Sequence, residues 1–235
     1  MFTDKTIAEI AAVANELGIE PATLIAVAEV ESGGKAFASV ETRHEPLIRF
    51  EGHYFDRRLA PAERDIARKA GLASPVAGKI ANPVTQIARW RMLDRAAAIN
   101  RRAAYESVSW GLGQVMGAHW AWLGYAGIDA LVAEARSGAG GQARLMARYI
   151  EKAGLLGSLR KRDWTGFARG YNGPAYARHG YDRKIAAAYA RHNATSAGKV
   201  EHRFGFALPV TKVKPATENG IRLVPAWFAA LFRRP

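Results

Sequence analysis

The chain has 235 residues, 49% of them hydrophobic, which suffices for one domain with a packed core and argues against a disordered protein. No apolar run reaches the roughly 18 residues that a membrane-spanning helix needs, and the lack of cysteine excludes disulfides and cysteine-ligated metals. A net charge of +13 favours a polyanionic environment, such as nucleic acid, anionic lipid or an anionic cell wall, without choosing among them.

The first part of the chain predicts two helices, the second of which ends in a pair of glutamates. Residues 3–17 carry apolar side chains at helical spacing. A second helix begins at Pro21, runs to Glu31 and is terminated by the glycine pair at 33–34.

The middle of the chain alternates irregular and helical segments. Residues 35–60 predict a short strand or an extended loop, and a short helix begins at Pro61. The loop that follows this helix is long enough to form the wall or lid of a cleft. Residues 84–108 again predict a helix. Three glycines within 109–117 predict a glycine-rich loop that runs into a helix over 115–124.

The last third of the chain predicts further helices and then changes in composition. The helices are expected over 127–135, 140–153, 164–168 and 181–192. Residues 171–174 read Tyr-Asn-Gly-Pro, which is a strong turn signal. Residues 199–235 carry seven Lys or Arg against two Glu. We therefore predict a mostly α domain over 1–195 with a small irregular or β segment, followed by a basic C-terminal extension over 196–235.

The two glutamates at the end of the second predicted helix cannot share one role. Residues two apart on a helix differ by about 200° in azimuth, so Glu29 and Glu31 cannot both face one cleft. Glu31 aligns with apolar neighbours and lies at the negative end of the helix dipole, and both effects raise a carboxyl pKa, as a general acid requires. The alternative is that Glu31 is a solvated last-turn residue. If Glu31 faces the cleft, Glu29 is expected to support the loop that follows.

Glycoside cleavage by a pair of carboxylates would need a second acidic residue. The candidates are Glu106, then Glu51, and also Glu45, although each is equally typical of a structural salt bridge. Several aromatic side chains suit stacking on sugar rings or, alternatively, core packing: Trp110, Trp120, Trp122, Tyr171 and Tyr176. The six histidines do not have zinc-ligand spacing and no nucleotide-binding fingerprint is present, so we expect neither a metal nor a cofactor.

Three motifs occur in a fixed order along the chain. Residues 31–34 read Glu-Ser-Gly-Gly, residues 109–117 read Ser-Trp-Gly-Leu-Gly-Gln-Val-Met-Gly, and the Tyr-Asn turn follows at 171–174. Residues 46–55, Pro-Leu-Ile-Arg-Phe-Glu-Gly-His-Tyr-Phe, lie between the first two. The ordered set, over about residues 3–192, resembles the N-acetylmuramidase domain of phage and prophage endolysins, a lysozyme-like family similar to lytic transglycosylases and goose-type lysozymes.

The resemblance implies a lysozyme-like fold and cleavage of the β-1,4 bond between N-acetylmuramic acid and N-acetylglucosamine in peptidoglycan. It implies Glu31 as the catalytic acid, in agreement with the helix-dipole argument. The residues implied for substrate binding are Ser32, Ser109, Trp110, Gln114, Tyr171 and Asn172. Where the family has arginine after Phe-Glu, this chain has Gly52, which weakens any role that depends on the charge of that segment.

Other functions are compatible with the same residues. In a lytic transglycosylase a single glutamate, here Glu31, acts as acid and then as base while an anhydro ring closes on the muramic residue. A non-catalytic basic protein that binds cell wall or nucleic acid is a different class, although no nucleic-acid-binding motif is present and no nucleic-acid partner is expected. The expected partners are peptidoglycan strands and, through residues 227–234 (Trp-Phe-Ala-Ala-Leu-Phe-Arg-Arg), an anionic envelope surface, unless that segment docks on the catalytic domain.

The expected assembly is a monomer. The N-terminus lacks a basic region followed by an apolar core, so we expect no secretory signal peptide. Synthesis in the cytoplasm and action on the wall, in the periplasm or outside the host, would then require holin-type release or another route.

Overall fold

The structure is a computed structural model that describes the backbone of residues 1–204 and the side chains of residues 1–194. The helices are α1 (Asp4–Glu16), α2 (Pro21–Ser32), α3 (Gly52–Arg58), α4 (Pro61–Lys69), α5 (Gln86–Glu106), α6 (Ile128–Arg136), α7 (Ala139–Lys152), α8 (Leu156–Arg160), α9 (Trp164–Asn172), α10 (Tyr176–His179) and α11 (Tyr181–Phe204). The strands are β1 (Phe37–Val40), β2 (Arg43–Pro46), β3 (Ile48–Phe50), β4 (Val108–Trp110) and β5 (Val115–Met116). The mostly α fold is therefore confirmed. Within the described residues, no helix combines the length and apolar character required to cross a membrane.

Helix α2 is the central helix of the domain, packed against both α1 and α11. Every residue from Ala22 to Ala28 is buried, as expected of a helix that is apolar on all sides. Pro21 occupies the first turn, where its missing N–H costs no hydrogen bond. Gly33 ends the helix in the left-handed region, with φ of 65°, where glycine is favoured. The chain therefore reverses direction directly after Glu31 and Ser32.

Glu29 joins α2 to α11. Its Oε1 accepts a hydrogen bond from Arg191 at 2.5 Å, and its Oε2 lies 2.6 Å from Nε2 of His192. The side chain thus supports the neighbouring helix, whereas the loop after α2 is held by the backbone, where the carbonyl of Glu29 accepts from Gly34 N at 3.1 Å. Glu31 is left to face the other side of α2.

The strands form two small antiparallel sheets. β1 and β2 make a hairpin, so the irregular segment expected over 35–60 contains real strands and also α3. The second sheet has the order β3-β4-β5, in which Arg49 pairs with Ser109 and Ser109 with Met116. These three side chains therefore lie on one face of the sheet, since directly paired residues share a face.

The prediction of a helix over 115–124 is wrong. Val115 and Met116 pair with β4, and only Gly117–His119 form a short 3₁₀ turn. A Cβ at Gly117 would lie 2.3 Å from the carbonyl oxygen of Tyr105, so the backbone passes too close to α5 for a regular helix with side chains there. Pairing with β4 takes precedence over the local apolar pattern.

Two further boundaries differ from the sequence prediction. Tyr171 and Asn172 are the last residues of α9, and the turn begins at Gly173. Helix α11 continues to Phe204, past the expected end at His192. The aromatic-basic segment at 227–234, which was expected to contact an anionic envelope surface, lies outside the described residues.

The loop over 73–85 is fixed to the edge of β3 by two amide side chains. Asn82 accepts from Phe50 N at 2.8 Å and donates to Phe50 O at 2.6 Å. Gln86 likewise accepts from Ile48 N at 2.9 Å and donates to Ile48 O at 3.2 Å. The two amides satisfy backbone groups that a further strand would otherwise pair, so this loop is a fixed wall beside the sheet.

We predict that substituting Glu29→Gln lowers the free energy of unfolding at pH 7 and that this loss disappears in acid. Burial acts to raise the pKa of Glu29, but hydrogen bonds from His192 and Arg191 outweigh it, and the pKa lies below the ordinary 4.5. Such a carboxylate stabilises the fold above its unfolded pKa, and the stabilisation is lost as the pH falls through the lower folded value. Urea unfolding at pH 7 and pH 3, with the exposed Glu16→Gln as control, measures this. An equal loss at both pH values contradicts it.

Candidate active site

The end of α2, the edge of β3 and the 73–85 loop enclose a cavity of about 560 Å³. It is called here the Glu31 cavity. Its lining residues are Val30, Glu31, Ser32, Gly33, Leu47, Arg49, Ile80, Ala81, Asn82, Val84, Gln86, Arg89 and Gln114. The expectation that the loop after α4 forms a cleft wall agrees with this placement.

Glu31 is 4% exposed, although it lines the cavity. Its Oε1 accepts a hydrogen bond from Nδ2 of Asn172 at 2.6 Å. Asn172 is 1% exposed and is the last residue of α9. The ends of two helices that are far apart in sequence therefore meet at one carboxyl group, and the amide fixes which of its oxygens faces the protein.

The turn over residues 111–114 forms the next part of the site. Gln114 has φ of 48°, a left-handed conformation that is unusual for a residue with a side chain. Its Nε2 donates to Gly111 O at 2.9 Å, and its Oε1 accepts from the Ser109 hydroxyl at 3.1 Å. These two bonds fix the orientation of the amide beside the Glu31 cavity.

Tyr171 lies behind this turn and holds it in place. Its hydroxyl donates to Gly113 O at 2.7 Å, and the ring is 2% exposed. A Cβ at Gly113 would lie 2.6 Å from Met146 and 2.8 Å from the Tyr171 hydroxyl, so only glycine fits here. Burial raises the pKa of Tyr171 well above its usual value, and the nearby charge of Glu31 adds to this. Tyr171 is a neutral support of the site.

Ser32 and Trp110 were also expected to bind substrate. Ser32 lines the cavity, but its hydroxyl donates to Ala28 O at 2.7 Å and accepts from Gly34 N at 3.2 Å, which helps to end α2. Trp110 is 0% exposed and packs edge-on against Trp90. The structure therefore places the Trp110 ring in the core, where a sugar cannot reach it.

Glu51 reaches the Glu31 cavity indirectly, because it is bonded to the guanidinium group of a residue that lines the cavity. It is buried and accepts from Nε of Arg49, a cavity-lining residue, at 2.9 Å. Burial raises the pKa of Glu51, and Arg49 opposes that rise. Glu45, by contrast, forms a two-pronged ion pair with Arg136 at 2.7 and 3.2 Å. That pairing is typical of a structural salt bridge.

Glu106 lies at the end of α5 in a polar network. It accepts from Trp120 Nε1 at 2.9 Å, from Arg102 at 3.0 Å and from Arg58 at 3.2 Å. Burial would raise its pKa, but the hydrogen bonds from Arg102 and Trp120 outweigh burial and the pKa is lowered. Neither Glu106 nor these three partners is among the described residues that line the Glu31 cavity.

Sequence reasoning did not select Arg49, Asn82, Gln86 or Arg89, all of which line the cavity. Arg89 donates to Pro83 O at 2.8 Å and to Ile48 O at 3.1 Å, so it joins the loop to β3. The only local features of the sequence that could have pointed to these residues are the Asn-Pro pair at 82–83 and the two amide side chains, Asn82 and Gln86, four residues apart. Among the described residues, no group of three or more acidic or histidine side chains is arranged to hold a metal ion.

Comparisons with known proteins identify the family of the chain. Residues 20–193 match the family model described as Muramidase, N-acetylmuramidase. No match was found among the curated proteins. Among solved structures, the chain is similar to the endolysin of Burkholderia AP3 phage, with a TM-score of 0.69 and 33% identity over 80% of this chain and 71% of that one. The chain therefore belongs to the N-acetylmuramidase family of peptidoglycan-degrading enzymes.

Proposed function

We propose that the protein cleaves the β-1,4 bond between N-acetylmuramic acid and N-acetylglucosamine, with Glu31 as the general acid. One observation carries this proposal. Among the described residues that line the Glu31 cavity, Glu31 is the one carboxyl group, and it is nearly buried with an oxygen fixed by Asn172. A largely buried carboxyl group at the lining of a cavity suits proton donation to a glycosidic oxygen.

In the first step, the proton of Glu31 passes to the glycosidic oxygen. The bond from the muramic C1 to that oxygen breaks, the N-acetylglucosamine end leaves as an alcohol, and positive charge develops on the muramic ring. Gln114 lines the same cavity. Its amide donates to Gly111 O and Leu47 O and accepts from Ser109, so Oε1 keeps one lone pair that can accept from a sugar hydroxyl.

The second step is proposed to be attack of water on the muramic C1, in which the new C–O bond forms and the water gives one proton to a carboxylate base, which completes hydrolysis. Of the two candidate second carboxylates, Glu51 is favoured over Glu106 because it contacts the cavity-lining Arg49. Lytic transglycosylation is the second candidate, and one observation favours it: a single carboxyl group in the lining suits a reaction in which the same glutamate returns as base. There the muramic 6-hydroxyl attacks C1 and gives its proton to Glu31.

We also propose the domain limits, the partner of the C-terminal extension, the assembly state and the route to the wall. Residues 1–195 form the catalytic domain, and residues 196–235 contact the anionic envelope. The protein acts as a monomer and reaches the wall after holin-type release.

Substituting Glu31→Gln should lower the rate of peptidoglycan cleavage about 10³-fold, since general acid catalysis contributes on that order. Glutamine has nearly the same shape, so the thermal unfolding midpoint should change little. Turbidity clearing of purified cell walls measures the rate, with the exposed Glu151→Gln as a matched control. Retained clearing by the Glu31 variant would refute its catalytic role.

Substituting Asn172→Asp should move the alkaline limb of the kcat/KM profile to higher pH. The change replaces a donor at 2.6 Å from Glu31 with a like charge, which disfavours ionisation of Glu31 and raises the pKa of the pair relative to the native protein. Rates on soluble muropeptide oligomers between pH 4 and 9 test this. A profile that is lower but not shifted would mean that Asn172 has only a structural role.

Digestion in H₂¹⁸O should place one ¹⁸O atom on each new muramic reducing end if water attacks C1. Mass spectrometry of the released fragments reads this directly. Products that carry 1,6-anhydromuramic ends without ¹⁸O would instead establish transglycosylation and would remove any need for Glu51 as a base.

A further inference from the structure

A second cavity, of about 330 Å³, lies beside α3 and the 3₁₀ turn. It is called here the arginine cavity. The residues that line it are Tyr54, Arg57, Arg58, Ala118 and His119. Nothing in the proposed cleavage step uses these residues.

Two guanidinium groups stack on one aromatic ring at this cavity. The Cζ atoms of Arg57 and Arg58 lie 4.7 and 5.0 Å from the centroid of the Tyr54 ring. The stacking uses the faces of the guanidinium groups and orients both cations, so their hydrogen bonds are formed at the edges.

The two arginines differ in charge compensation. Arg58 is paired with Glu106 at 3.2 Å, whereas the hydrogen bond formed by the Arg57 side chain is to the carbonyl of His53, also at 3.2 Å. Among the side chains that the structure describes, no carboxylate forms an ion pair with Arg57, and the neighbouring Asp56 is engaged by Arg68 at 2.7 and 2.9 Å. Arg57 is exposed and presents its charge at the cavity, since the nearby carboxylate on which that charge acts, Asp56, is already bound by Arg68.

The positive charge of this cavity does not depend on histidine. Burial, and after it the charge of nearby arginines, lowers the pKa of His53 and of His119 to about 4. Both imidazoles are therefore neutral near pH 7, and the guanidinium groups alone supply the cationic character.

The arginine cavity is connected to the Glu31 cavity through side chains along the sheet. Arg49, which lines the Glu31 cavity, donates a hydrogen bond to Oε1 of Glu51. Oε2 of Glu51 lies 3.6 Å from Nδ1 of His53. The ring centroid of His53 lies 4.9 Å from that of Tyr54, which lines the arginine cavity. The two cavities are thus separated by only a few residues of β3 and α3.

An aromatic series makes a second connection. The ring centroid of Tyr149 lies 5.8 Å from that of His119 and 5.3 Å from that of Tyr171. Tyr171 in turn holds the turn that ends at Gln114. Trp122 lies 5.6 Å from His119 and is 44% exposed. An exposed indole beside a cationic cavity suits a sugar ring that carries an acidic group.

We propose that the arginine cavity is a distal subsite that binds a carboxylate of the same peptidoglycan strand, with Arg57 as its main ligand. The carboxylate belongs to the lactyl group of a muramic residue or to its peptide stem. This inference rests on the proposed function, because it takes the strand to extend from the Glu31 cavity along the sheet. It gives the enzyme a preference for acidic glycans over neutral polymers of N-acetylglucosamine.

The test measures binding to the inactive Glu31→Gln protein by calorimetry. The ligands are a muropeptide tetrasaccharide with free carboxylates, the same compound with its carboxylates amidated, and a stem-free tetrasaccharide that retains only its lactyl carboxylates. Adding Arg57→Gln should weaken binding of the acidic compound about fivefold, as expected for one exposed charge pair, and leave the amidated compound unchanged. Arg57→Lys should recover part of the loss, and loss with the stem-free ligand would assign the lactyl group.

The control is Arg91→Gln, which removes the same charge at an exposed site on α5 paired with Glu41 at 3.7 Å. Equal losses for the acidic and amidated ligands, or no loss with either, would overturn the subsite. If the native enzyme releases muropeptides from cell walls while these binding results are negative, only the subsite inference fails. If the native enzyme releases none, the proposed function itself fails.

Discussion

The hydrogen bond from Asn172 to Glu31, at 2.6 Å, is the contact on which the site depends. It joins the ends of α2 and α9 within a buried environment, where an unpaired polar group is costly. The geometry is possible only because Gly33 ends α2 immediately and lets the chain turn away. The carboxyl group is therefore fixed by α9 at the lining of the Glu31 cavity.

Helix α9 supports the site through two consecutive residues. Asn172 bonds the acid, while Tyr171 bonds the carbonyl of Gly113 and so holds the turn that carries Gln114. Consecutive residues on a helix point about 100° apart, so one helix end can reach two separate parts of the site. Both residues are buried, and displacement of α9 would disturb Glu31 and the turn that carries Gln114 together.

Local sequence was sufficient for α2 and for the choice of Glu31 over Glu29, because Pro21, the glycine pair at 33–34 and the helical azimuth are local properties. It failed at residues 115–124, where pairing with β4 decides the structure. It also missed Asn82, whose partner Phe50 is 32 residues away, because a side chain that substitutes for a strand leaves no periodic signal. Contacts between distant segments formed the cavity, and single-sequence patterns do not encode them.

The charges around the Glu31 cavity also bear on the proposed role of Glu31 as a proton donor. A guanidinium beside a general acid favours loss of the acid's proton, and Arg49 lines the same cavity as Glu31. Nε of Arg49, however, donates to Glu51, so the pair carries no net charge next to the acid. Arg57, farther along the sheet, lacks such a carboxylate among the described side chains. Arg49 thus has a carboxylate partner beside the proposed proton donor, whereas Arg57 forms no such ion pair among the described side chains at the proposed subsite.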